Sequence, residues 1–281
     1  MNLIHVIDCA NLDASTIELE VRHAVEQLRP ALTKLVNLPM NPVSQSTPSH
    51  WKHACETPND TIFLEISSMF GDVFGYSDLQ GGRLVQEIFP IRDDAYKQVG
   101  SGAVKLELHT EDPALDYRAD YLGFMCVSNI DRIPTTVSVP DLSRLTPSAL
   151  DCLINEPFRI LSDRPSSDDH KNQDLVTPIL FQDARQRGRI IYDPVYICYD
   201  SMRAGQRAAF AELQALVEDA TFDFLLLPGE IGVIDNYQVA HGRPRYQPRY
   251  DGTDRWLKRT QISKDFQRHS HLAAMPARVL P

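Results

Sequence analysis

From Lys105 to Ser128 the chain reads KLELHTEDPALDYRADYLGFMCVS. Two apolar, strand-like runs, residues 104–108 and 121–128, flank a polar link containing Asp and Pro, the pattern of short strands joined by loops. Outward from this stretch, residues 61–66, 83–91 and 135–139 have the same character, β-branched or apolar and bounded by Gly, Pro or Asp. Five such strands in about 80 residues predict a sandwich or barrel. Three more follow at residues 222–227, 232–239 and 256–263.

Helices flank this β region. Ile17, Val21, Val25 and Leu28 recur at helical spacing over residues 13–28, with Asp13 or Ser15 available to cap the start. Residues 146–155 form a short second helix. The clearest is 201–220, where Met202, Ala209, Phe210, Leu213, Leu216 and Val217 mark one broad apolar face. Residues 39–58, rich in Pro, Ser, Thr and His without periodicity, read as a loop, and 163–174 (DRPSSDDHKNQD) as a polar surface loop. The expectation is a mostly β fold with flanking helices, one domain over residues 1–281, with an N-terminal helical region up to about residue 58.

A formal charge of −10 argues against a nucleic-acid or anionic-membrane partner, because phosphate binding needs clustered Lys and Arg to release counterions. The five cysteines (Cys9, Cys55, Cys126, Cys152, Cys198) are widely spaced, with no C-x-x-C pair, and fit reduced thiols in a cytoplasm. The N-terminus lacks a basic region and its apolar stretch is broken by His5 and Asp8, so it does not read as a signal peptide. No apolar run approaches the roughly 20 residues of a membrane span.

His109 and Glu111 stand as H-T-E at the end of KLELH, where the strand period of 2 turns both side chains to one face. The run GVIDNYQVAH ends on His241, the best candidate for a third ligand. Two histidines and one carboxylate on one face of an octahedral iron leave three adjacent positions open. Spacing alone is a weak signal: nine histidines give such pairs by chance, and two strand-end residues with a core histidine would read the same way. Downstream, GRPRYQPRYDGTDRWLKR places Arg255 and Arg259 fourteen and eighteen residues beyond His241. Arg255 opens the next strand, where a guanidinium can grip a carboxylate with two parallel bonds.

Four ordered blocks between Gly71 and Ser263 resemble a known family: GDVFGYSDLQGGRLVQEIFP, HTEDPALDYRADYLGFMC, VIDNYQVAHGR and YDGTDRWLKR. They are similar to the clavaminate synthase-like branch of the Fe(II)/2-oxoglutarate-dependent oxygenases, which includes hydroxylases of free arginine, asparagine and lysine. The resemblance implies a double-stranded β-helix, or jelly-roll, core. It also implies Fe(II) held by His109, Glu111 and His241, with 2-oxoglutarate as cosubstrate and O₂ as oxidant. Arg255 and Thr136 then correspond to the residues that bind 2-oxoglutarate. Arg259 corresponds to the residue that holds the amino-acid carboxylate, while Gln80, Ser101 and Glu111 surround the substrate backbone.

Asp193, in RIIYDP, lies where an arginine hydroxylase of this family places an acid against the cationic end of the substrate; it reads equally as the start of an Asp-Pro turn. A lid-like insertion is expected at about residues 143–174. A carboxylate at Glu111 points to hydroxylation, since the related halogenases carry a small residue there. The function implied is hydroxylation of an unactivated C–H bond in a free, basic L-amino acid, lysine or arginine. The alternatives are a tailoring oxygenase acting on a carrier-bound amino acid and a non-catalytic β-barrel binding protein.

Overall fold

The computed structural model describes residues 3–43, 45–162, 174–182, 188–269, 271–272 and 278–281. The chain opens with β1 (Ile4–Asp8), α1 (Ala14–His23) and β2 (Leu32–Val36). Asp13 caps α1 by accepting a 2.8 Å bond from the Thr16 amide, as its short side chain allows. The helix continues as a π turn over Ala24–Leu28 and stops at Arg29, whose φ of 49° breaks the helical path. β1 and β2 pair in parallel, which a helical crossover makes possible. The N-terminal region therefore supplies two strands to the fold where only helix was expected.

Residues 61–66, expected as a strand, lie instead in α2 (Pro58–Ser68). Pro58 sits in its first turn, and Phe63, Ile66 and Ser67 turn to one buried face at helical spacing. The β-branched Thr61, Ile62 and Ile66 had obscured that spacing. Then come β3 (Asp72–Tyr76), β4 (Gln86–Ile88), β5 (Leu106–His109), β6 (Tyr121–Ser128) and β7 (Thr135–Ser138).

The helix α3 (Pro147–Asn155) is capped by Thr146. It leads to β8 (Phe158–Ile160), β9 (Leu175–Thr177), β10 (Leu180–Gln182) and β11 (Gly188–Ile190). The expected loop at 163–174 falls, up to residue 173, outside the described residues. The helix α4 (Ala204–Asp219) packs on α3 through Leu153, Phe210 and Leu213. The chain ends in β12 (Thr221–Phe224), β13 (Ile231–Asp235), β14 (Ala240–Arg243), β15 (Trp256–Ser263) and β16 (Val279–Leu280).

The large sheet runs β1-β2-β13-β6-β15-β3-β16, with β4 added on β15, and the smaller runs β12-β7-β14-β5. The two meet through one apolar cluster: Leu122, Phe124, Ile234 and Leu257 from the large sheet, Val137 and Phe224 from the small one. The run 232–239, expected as one strand, is strand only to Asp235. β13 closes on Asp235, the chain turns through Asn236, and β14 then belongs to the opposite sheet. That change of sheet carries His241 across the core to face β5. Among the described residues no helix is long and apolar enough to cross a membrane.

Candidate active site

His241 and His109 stand directly opposite each other on β14 and β5, with ring centroids 4.5 Å apart. Cross-strand partners share a face, so both rings enter the space between the sheets. Nδ1 of His109 donates to the Glu107 carbonyl at 2.9 Å, which aims Nε2 inward. β5 ends at His109, so Glu111 is not placed by strand alternation as expected. Its backbone is held by Asn236, which accepts from the Glu111 amide at 2.7 Å and donates to the Glu111 and Ala119 carbonyls at 3.1 and 3.0 Å.

Glu111 Oε2 then lies 3.6 Å from His109 Nε2 and 3.5 Å from His241 Nε2. All three donor atoms fall within 4.8 Å of one another. This spacing lets a single ion sit about 2.0–2.2 Å from each donor. Two imidazoles and one carboxylate, all on one side, are the donor set of a non-haem Fe(II) site with open positions. The residues present fit the metal.

The three groups also act on one another electrostatically. Burial opposes ionisation of Glu111, but the Arg259 guanidinium and the two imidazoles outweigh it, and its carboxyl stays well below the usual range. Burial disfavours the charged form of His109 too; the bond to Glu111 and the carboxylate charge overcome it and lift the imidazole to about 9. Burial, then the proximity of His109, presses His241 down to about 4.

These groups line a cavity of ≈ 330 Å³, which also receives Arg255, Arg259 and Asp193. Arg255 donates to the Ile133 carbonyl at 3.2 Å and the Thr135 hydroxyl at 3.0 Å. It has no carboxylate partner among the described residues. Burial and the nearby Arg243 draw its pKa down to about 10, which leaves it a cation at neutral pH. A buried cation without a counter-ion is costly and marks a place for an anion.

The threonine beside it is Thr135, not the expected Thr136. Alternation along β7 points Thr135 and Val137 to the core, and Thr136, one residue out of phase, to the other face. Gln80 and Ser101 likewise do not line the cavity. The Gln80 amide is engaged by the Glu87 backbone at 2.8 and 2.9 Å, and the Ser101 hydroxyl donates to Asp94 at 2.6 Å. Their chain neighbours Leu79 and Gly100 form the wall.

Asp193 is on the wall, and it also caps a turn, accepting from the Val195 and Tyr196 amides at 2.8 and 3.2 Å. The Thr110 amide bonds the Tyr192 carbonyl at 2.7 Å and so ties this segment to the metal-ligand strand. Arg259 contacts Glu111 Oε1 and donates from Nε to the Gln86 side-chain carbonyl at 2.9 Å.

Sequence reasoning missed Asn236, Thr135, Gln86 and Arg243. Arg243 lines the cavity and bonds the Gly100 and Val104 carbonyls at 2.9 and 2.8 Å, which fastens the wall loop to β14. Asn236 and Arg243 stood inside the VIDNYQVAHGR block, read there only as strand.

Comparison with known proteins gives the same picture. The family model "Taurine catabolism dioxygenase TauD, TfdA family" matches residues 146–261. An enduracididine beta-hydroxylase of Streptomyces hygroscopicus is 31% identical, over 94% of this chain and 88% of that protein. An L-ornithine/L-arginine 3-hydroxylase of Catenulispora acidiphila is 29% identical, over 79% of this chain and 73% of the other. The non-haem iron oxygenase OrfP, solved with Fe and alpha-ketoglutaric acid, superposes with a TM-score of 0.86 at 30% identity, covering 97% of this chain and 88% of that one. The chain belongs to the TauD/TfdA family of dioxygenases, in its clavaminate synthase-like branch of amino-acid hydroxylases.

Proposed function

We propose that the chain is an Fe(II)/2-oxoglutarate-dependent dioxygenase that hydroxylates a free, basic L-amino acid, on a double-stranded β-helix formed by the two sheets. The observation that carries this reading is one cavity holding the convergent triad, the carboxylate Asp193 and Arg255, a cation with no carboxylate partner among the described residues. The names of its relatives, which include hydroxylases of ornithine, arginine and lysine, support the basic substrate.

His109, Glu111 and His241 would hold the iron. With 2-oxoglutarate and O₂ bound, the iron supplies the oxidation of an unactivated C–H bond, and succinate and CO₂ are the co-products. The rest is the protein's task of binding and orientation. Arg255, braced by Thr135, takes the distal carboxylate of 2-oxoglutarate and fixes which end faces the triad. Arg259 takes the amino-acid carboxylate. Asp193, at the cavity wall, takes the cationic end of the side chain. With both ends of the substrate held, one segment of its carbon chain is presented to the iron, and that choice sets the position of attack. Phe124, Leu257 and Ile88 line the same cavity and exclude water. The lid expected at about residues 143–174 lies, for residues 163–173, outside the described residues.

Purified protein incubated with Fe(II), 2-oxoglutarate and a panel of L-arginine, L-ornithine, L-lysine and neutral amino acids tests the reading. One basic amino acid should gain the mass of an oxygen atom, with matching succinate release. If every panel member is unchanged and none stimulates succinate release, the free-amino-acid reading is wrong.

A further inference from the structure

Gln86 has no obvious reason to be a glutamine. It is fully buried on β4, directly opposite Arg259 on β15. Its carbonyl oxygen accepts from Arg259 Nε at 2.9 Å, while its amide nitrogen is buried without a partner among the described residues. An unpaired buried donor is unfavourable, and an apolar side chain would fill this place more easily if packing alone mattered. Turning the amide over would set its NH₂ against the Arg259 N–H, so the acceptor end must face the guanidinium.

Held at Nε, the planar guanidinium has one direction left to it. Its Nη1 meets Oε1 of Glu111. The approaches to His109 and His241 are made by Oε2, at 3.6 and 3.5 Å. We propose that Gln86 is a positioning residue for the metal site: through Arg259 it fixes the Glu111 carboxylate so that one oxygen serves as ligand and the other stays bound to protein. The inference rests on the metal reading above and gives Arg259 a second role besides its carboxylate recognition. A one-oxygen ligand preserves the three open positions that a chelating cosubstrate and O₂ need.

Co(II), followed by visible absorption with no amino acid or 2-oxoglutarate present, reads this directly. Gln86→Leu removes the acceptor and leaves Arg259 charged, and Co(II) affinity should fall about 10-fold or more, as when an outer partner of a metal ligand is lost. Gln86→Glu restores an acceptor and should recover affinity close to wild type. Arg259→Lys keeps the charge but not the fork, and should weaken Co(II) binding like Gln86→Leu. It lies on the cavity wall and decides the matter alone if Gln86→Leu fails to fold.

A Gln86 that only packs would lower the melting temperature and leave the Co(II) dissociation constant unmoved. Wild-type Co(II) affinity in Gln86→Leu or Arg259→Lys overturns the proposal, as does a Gln86→Glu chain no better than Gln86→Leu. A wild-type chain that takes up no Co(II) overturns the metal reading itself, so the two failures are distinguishable.

Discussion

Asn236, fully buried, holds the Glu111 backbone with two hydrogen bonds and donates a third to the Ala119 carbonyl. Asn236→Ala strands the Glu111 amide, and we expect metal affinity to drop about 10- to 100-fold in a chelator-competition titration. For Arg255→Ala, the loss of a charged hydrogen bond of about 1.5–3 kcal/mol corresponds to a rise of roughly 10- to 100-fold in the KM for 2-oxoglutarate. The KM for the amino acid should hold steady, and steady-state kinetics with each substrate varied in turn separates the two. At this scale His109, Glu111, His241 and Arg255 were legible through the ordered blocks around them, since their spacing alone is a weak signal. Thr136 was off by one because a strand's phase is invisible when neighbouring residues are identical. Gln80 and Ser101 were drawn to backbone and Asp94 partners that only the folded loops reveal.

Two strands carry most of the site, and each has a weak point. A Cβ at Gly242 would sit 2.4 Å from the Leu106 carbonyl, a backbone atom that cannot rotate away. Gly242→Ala should therefore push β14 from β5, part His241 from His109 and abolish stoichiometric metal binding, measured on the purified, folded chain. On β15, Lys258 is wholly buried between Asp60 at 2.8 Å and Glu87 at 3.1 Å, and Trp256 donates to Glu87 at 2.6 Å. Removing the cation leaves two buried carboxylates, and Lys258→Met should cost about 3–5 kcal/mol in urea unfolding.

Burial raises the pKa of Glu87 above its unfolded value even beside Lys258. The folded chain thus keeps a proton that the unfolded chain releases, and the stability linked to this group is lost as pH rises through the folded pKa. Without Lys258 the gap widens, so the variant should lose more stability at about pH 8 than at about pH 5. Equal losses at both would contradict the burial argument. β6 was legible in the sequence as a long apolar run, and β15 as the eight residues that follow the D-G-T-D turn. The α2 helix was not, because β-branched residues mimic a strand over six positions. Nor was the break between β13 and β14, where the turn at Asn236 carries no Gly or Pro.

Across the whole molecule, the fold brings blocks separated by 130 residues of chain, from His109 and Glu111 to His241, into one cavity. Binding energy there is therefore folding energy. Saturating metal with 2-oxoglutarate at about 100 times its Kd should raise the melting temperature by roughly 5–10 °C in a single transition. Two separate transitions would argue against the one-domain expectation.

The central claim is that the triad and Arg255 form one site for iron and its dicarboxylate partner. Anaerobic addition of 2-oxoglutarate to the Fe(II)-loaded protein, followed in the visible range, tests it most directly. A weak charge-transfer band should appear in the wild type, require far more 2-oxoglutarate in Arg255→Ala, and be missing in His241→Ala. A wild-type spectrum that does not change, or a band that persists in His241→Ala, would contradict the account.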